Sequence, residues 1–185
     1  MPGPDYHSLV LHPANSAPMI RAVEAGVAAL ADGSIVFCYR LRGDMARVRL
    51  PEANAPERRE RLWEHTCLEA FVGVEGVTAY REFNFSPSGC WAAYDFSDYR
   101  RRLADPALAA PRITARATEG RLELEAAMSL SSLPFAPPGA NWLIGLAAMI
   151  EAVDIVDDAL SCWALRHPAQ RPDFHLRDGF ALRHP

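Results

Sequence analysis

Residues 63–96 read WEHTCLEAFVGVEGVTAYREFNFSPSGCWAAYDF, and their polar groups recur at every second position. Side chains two apart share one face of a strand, so this stretch predicts three consecutive strands. In the first, Trp63, His65, Cys67 and Glu69 take one face, and Leu68, Ala70 and Val72 the other. In the second, Tyr80, Glu82, Asn84 and Ser86 oppose Arg81, Phe83 and Phe85. One sheet face is therefore expected to gather two carboxylates, an amide, an imidazole and an indole. Strands that serve only as core seldom carry so many polar groups beside an aromatic.

The rest of the chain follows the same period. Residues 6–12 predict an entry strand. Residues 22–31 and 34–42 flank Asp32-Gly33, a two-residue hairpin signal, and Ile35, Phe37, Tyr39 and Leu41 then line one face. Residues 112–118 and 121–128 flank Glu119-Gly120, which sets Arg116 across from Glu123 as an exposed ion pair. Residues 141–151 are apolar on both faces, which fits a central strand, although a buried helix shares that pattern. Further strands are expected over 161–166 and around Phe180. Short helical turns are expected over 56–62, with Pro56 at the start, and over 97–103, behind a Ser97 cap. Fifteen prolines and eleven glycines in 185 residues agree with many turns and few long helices. The length suits one domain, 1–185, with a full core. These elements predict an all-β, antiparallel β-sandwich of jelly-roll type with one or two short helices.

Composition excludes several chemistries. All nineteen basic residues are arginine, so lysine Schiff-base chemistry and the phosphate-loop lysine are ruled out. A net charge of -4 does not suggest nucleic-acid binding, and no window reaches the length of a membrane span. Cys38, Cys67, Cys90 and Cys162 show no C-x-x-C spacing, and buried free thiols are expected. The N-terminus lacks the pattern of a signal peptide, and a cytoplasmic location is expected. His65, His167 and His175, even with Glu69, lack the spacing of zinc sites, so locally bonded histidines are expected. Asp154, Asp157 and Asp158 supply oxygens that leave calcium open, but the EF-hand pattern is absent and a solvated turn is the plainer reading. No other cofactor is expected. Neither G-x-S-x-G nor G-x-G-x-x-G occurs, and no enzyme motif is found.

The motifs W-x-x-T-C-x-E-x-F (63–71), Y-R-E-F-N-F-S-P-S-G (80–89) and W-x-A-Y-x-F (91–96) resemble the DOMON-like proteins related to type 9 carbohydrate-binding modules. The segments W-A-L-R-H-P (163–168) and P-D-F-H (172–175) add to the resemblance. It implies a β-sandwich with a small ligand held on one face or rim, with Trp63, Glu69, Glu82 and Asn84 at the matching positions and Trp163 as a second aromatic. Haem-binding members use an axial methionine and histidine. No methionine lies on the 63–96 polar face, so haem is not expected.

The residues themselves allow two readings. Trp63 either stacks on a ligand ring or caps the sandwich edge. Glu69, set among apolar neighbours, needs a partner, either a ligand or an arginine such as Arg81 or Arg166. The expected function is non-catalytic binding of a small polar ligand, a sugar or sugar derivative. Trp63 and Trp163 would stack; His65, Glu69, Glu82 and Asn84 would offer polar contacts; Arg81 and Arg166 would balance charge. The alternatives are a protein-interaction module of the same fold, or a glycoside hydrolase using Glu69 and Glu82 as paired carboxylates.

Overall fold

The structure is a computed structural model that describes residues 4–153 and 160–185. Asp154, Asp157 and Asp158, the oxygens considered for calcium, lie outside the described residues.

The strands are β1 (Asp5–Leu11), β2 (Ile20–Ala29), β3 (Ser34–Gly43), β4 (Cys67–Val74), β5 (Tyr80–Phe85), β6 (Trp91–Phe96), β7 (Arg112–Thr118), β8 (Arg121–Ser129), β9 (Trp142–Glu151), β10 (Leu160–Ala164) and β11 (Leu182–His184). They form a single sheet in the order β6-β5-β4-β9-β10-β1-β2-β3-β8-β7, with β11 on β9. All these strand pairings are antiparallel. The end of β1 joins the two halves, with Val10 opposite Ala164 and Leu11 opposite Trp163. The sheet curls into a half-barrel, so the all-β expectation holds but the jelly-roll detail does not. Because β1 pairs on both edges, the layers are continuous rather than two separate sheets.

Alternation decides what fills the inside of the curl. Ile35, Phe37, Tyr39 and Leu41 of β3 are buried there with Leu122 and Leu124 of β8. From the other half come Leu68, Ala70 and Val72 of β4, Phe83 and Phe85 of β5, and Ile144 and Leu146 of β9. The Phe37 ring lies 5.8 Å from Phe85 and 6.1 Å from Phe83, so the halves meet through aromatic packing. One hydrogen bond adds to this: the Tyr39 hydroxyl donates to the Glu69 carbonyl at 2.7 Å.

The outer face of β4, β5, β6 and β9 is also covered. A second apolar cluster there includes Phe71, Tyr80, Tyr94, Phe96 and Ala147, closed by Phe180 of the C-terminal segment. Two glycines make room for that segment. A Cβ on Gly145 would stand 3.1 Å from the Phe180 ring, and one on Gly73 would overlap the Arg177 guanidinium. Arg177 then donates to the carbonyls of Val74 at 2.6 Å and Val77 at 3.0 Å.

The expected helices are absent among the described residues, where only 3-10 turns occur: Met45–Arg47, Leu62–Glu64, Leu130–Ser132 and Arg177–Gly179. Residues 57–59 instead run extended beside β6, with the Trp91 amide donating to the Glu57 carbonyl at 2.9 Å. An edge strand gains more from that pairing than the segment gains from an isolated helical turn. Over 97–103, Arg100 adopts φ +53°, which breaks a helix, and the Ser97 amide donates to the Arg101 carbonyl at 3.0 Å. The first hairpin turns through three residues, 31–33, with Gly33 at φ +80°. Arg116 does face Glu123 in register, but Glu123 is ion-paired to Arg40 and Arg121, each at 3.4 Å. The four cysteines are buried free thiols. No helix of the described residues is long and apolar enough to cross a membrane.

Tyr39→Phe should lower unfolding free energy by about 1–1.5 kcal/mol, because it leaves the Glu69 carbonyl without its buried donor. Chemical denaturation at unchanged m-value checks this; no shift in midpoint would show that the bond between the halves is unimportant.

Candidate ligand-binding site

The outer face of β4–β6 carries a pocket of about 460 Å³. Register explains its floor. Glu69 of β4 stands opposite Asn84 of β5, and Phe71 opposite Glu82, which in turn stands opposite Tyr94 of β6. The two carboxyls are thus diagonal neighbours on one face. Met149 of β9 and Cys162 of β10 complete the floor.

The walls are aromatic and come from outside the central strands as well. Trp63, in the Leu62–Glu64 turn, sets its ring 5.7 Å from the Tyr94 ring, edge to face. Phe96 and Phe174 also line the pocket, and Phe174 and His175 bring the C-terminal segment over it. His175 packs 5.2 Å from the Phe71 ring and 5.0 Å from the Phe96 ring. Arg100 and Arg102 stand at the rim. Arg100 donates to Asp173 at 3.0 Å, and Arg102 reaches Asp105 at 2.8 Å and Glu60 at 3.4 Å. The Arg102 guanidinium lies 4.3 Å over the Tyr94 ring. The left-handed backbone of Arg100 is held by its amide, which donates to the Tyr80 hydroxyl at 3.2 Å.

Glu69 is the outlier. It is 3 % exposed and lines the pocket, yet its carboxyl has no hydrogen bond or ion pair with any described residue. Burial pushes its pKa well above the usual carboxylate range, and the Glu82 charge adds to this. Glu82 is 6 % exposed and accepts from Asn84 Nδ2 at 2.6 Å. Burial raises it to about 7, against the lowering effect of the Asn84 bond and of Arg100 and Arg102. His175 Nε2 is 3.7 Å from Glu82 Oε2, and its Nδ1 is 2.8 Å from the Tyr80 hydroxyl. Burial lowers His175 to about 4, with Arg100 contributing, so its ring is neutral at pH 7. Neither carboxyl is paired with an arginine; Arg81 is committed to Asp95 at 2.6 Å.

Of the residues singled out in the sequence, Trp63, Glu69 and Glu82 line the pocket. Asn84 lies fully buried behind it and acts by holding Glu82. The other four stand elsewhere. His65 lies before the start of β4, where strand parity does not yet apply, and is exposed at 2.9 Å from Glu151. Arg81 alternates to the other face of β5 and also donates to the Ser132 carbonyl. Trp163 belongs to the inner core and donates to Ser161 at 3.1 Å. Arg166 follows the end of β10 and is exposed outside the pocket. Among the histidines considered for metal, His167 meets the Val10 carbonyl at 2.7 Å. No group of three or more His, Cys, Asp or Glu is placed to hold a metal among the described residues.

Sequence reasoning missed Tyr94, Phe96, Arg100 and Arg102 as site residues, and weighed His175 only for a metal. The alternation in W-x-A-Y-x-F was enough to put Tyr94 and Phe96 on one face. The in-strand glycines Gly73 and Gly145 were the available sign that another segment covers the sheet.

A crystal structure of a candidate carbohydrate-binding protein from Bacteroides uniformis has the same fold. It matches with a TM-score of 0.69 over 96 % of this chain and 84 % of that one, at 18 % identity. The fold is therefore one also found in a protein described for carbohydrate binding. No family model and no curated protein matches the sequence.

The raised carboxyls fix a pH dependence. A group whose folded pKa is raised stabilises below its unfolded pKa, and that stability is lost as pH rises through the folded value. His175 has the opposite sign, but its effect ends near its unfolded value of about 6.5. Between pH 6.5 and 8, the raised carboxyls of Glu69 and Glu82 should therefore dominate, and stability should fall as pH rises. Melting temperature against pH checks this. The slope should flatten in Glu69→Gln/Glu82→Gln, and an unchanged slope would mean that other groups carry it.

Proposed function

We propose that this pocket binds a small hydroxylated ligand of the sugar class, without transforming it, as the DOMON-like resemblance implies. The observation that carries the proposal is the Glu69 carboxyl. It lies at the floor of an open pocket and has no hydrogen-bond or ion-pair partner among the described residues. A ligand hydroxyl would supply the hydrogen bond that no described residue gives this carboxyl. Glu82, fixed by Asn84, offers a second oriented acceptor. Trp63, Tyr94 and Phe96 give the apolar faces that sugar C–H surfaces pack against. The volume falls in the range of small-molecule sites. The carbohydrate-binding description of the Bacteroides uniformis neighbour supports the same class.

A second reading has one observation in its favour. Glu82, raised to about 7, has the protonation behaviour of a general acid, with Glu69 as the second carboxyl of a glycoside hydrolase.

Titration of a mono- and disaccharide panel by calorimetry tests both. At least one sugar should bind the wild type, and Trp63→Ala should weaken it about tenfold, the loss of a packed aromatic wall. Binding by no sugar would sink the proposal. Release of a reducing sugar from glycosides by the wild type, lost in Glu82→Gln, would establish the hydrolase instead.

A further inference from the structure

We propose that the ligand of this pocket presents a protonated amine to Glu69, so that the site selects an amino sugar or similar amine-bearing polyol over its neutral counterpart. The proposal rests on the sugar-class reading above and specifies the ligand within it.

The argument is a charge inventory of the pocket. Each cation at the rim already has its anion: Arg100 holds Asp173, and Arg102 holds Asp105 and Glu60. Tyr99 also donates to Asp173, which ties that carboxylate further to the rim. The Cys67 and Cys162 thiols are protonated by burial, and His175 is neutral. The carboxyls on the floor are therefore left over. Among the described residues, Glu69 has no donor, and Glu82 has the neutral amide of Asn84 and a histidine at 3.7 Å.

A neutral hydroxyl can satisfy a protonated Glu69, but it supplies no positive charge to two adjacent buried carboxyls. An ammonium has three donors, no acceptor and a full charge, which matches two neighbouring carboxyls with no cation of their own. Charge-assisted bonds are about twice as strong as neutral ones. Trp63 and Phe96, both lining the pocket, also favour a cation over a neutral group. The proton balance is simple. The ammonium keeps its proton, Glu69 passes its own to the buffer, and no other reactant is consumed. A neutral polyol would release none.

The test uses calorimetry near pH 7 in buffers of low and high ionisation enthalpy. The probes are glucosamine, galactosamine and mannosamine, each with its parent hexose and its N-acetyl form. One hexosamine at least should bind about tenfold more tightly than both its parent and its N-acetyl form, with proton release. Glu69→Gln should remove that preference, weakening the amine about tenfold relative to its parent hexose. The glutamine is close in shape to protonated Glu69, and its melting temperature verifies folding. Glu82→Gln provides a second variant with the same expected direction. Equal or tighter binding of the parent hexose by the wild type, or an amine preference that survives in Glu69→Gln, would overturn the amine proposal, while binding of the hexose would keep the sugar-class reading. If hexosamines, hexoses and N-acetyl forms all fail to bind, the sugar-class reading fails and this proposal with it.

Discussion

β4 is buried on both of its faces along all eight residues, and the rest of the architecture is arranged around that fact. Its inner side chains, Leu68, Ala70 and Val72, meet the aromatic core from β3 and β5. Its outer ones, Cys67, Glu69 and Phe71, lie beneath the pocket and the C-terminal segment. A strand buried on both faces normally reads as a nearly continuous apolar run. β4 departs from this at one position, Glu69. The departure is costly where it occurs, because a carboxyl largely withdrawn from water meets no counter-charge there among the described residues.

The outer layer exists because the sequence keeps space for it. Gly73 and Gly145 are bare positions on the outward faces of adjacent strands, and Arg177 and Phe180 occupy the space they leave. Asp173 and His175 are then delivered to the pocket by the same segment. Asp173 accepts from Tyr99, Arg100 and the His175 amide, so one carboxylate ties the rim turn to the C-terminal segment. The left-handed conformation at Arg100 belongs to this arrangement. It aims the guanidinium at Asp173 and the backbone amide at Tyr80. A regular helix over 97–103 would have done neither.

The strands were legible because alternation is a local property. Ile35, Phe37, Tyr39 and Leu41 declare an inner face without reference to any other part of the chain. The same rule put Glu69, Glu82 and Asn84 on one face, and register then brought them together. It failed at the ends of strands. His65 precedes β4 and Arg166 follows β10, so counting by two from inside the strand carries no information there. Trp63 reached the pocket for a different reason, through a 3-10 turn that returns toward Tyr94. Trp163 illustrates the reverse limit: its strand was expected, but parity relative to Cys162 places the indole in the core. The curl of the sheet was not legible, since it depends on β1 sharing its two edges between distant partners. His175 needed a contact across nearly a hundred residues to meet Tyr80, and no local pattern encodes that.

The Tyr39 hydrogen bond connects these levels. Its acceptor is the backbone carbonyl of Glu69 itself, so the residue with the unpartnered side chain is also the one anchored most directly to the opposite half of the sheet. An isolated carboxyl on a yielding backbone would relax toward water or toward Arg100. Here the carbonyl is pinned from below, and the strand is paired on both edges. Replacing Glu69 by an apolar residue of similar volume would remove the desolvation cost and keep every other contact, which is what stability alone would favour. A sequence that instead fixes an unpaired acid in place has exchanged stability for a preorganised acceptor, and preorganisation is what reduces the cost of binding.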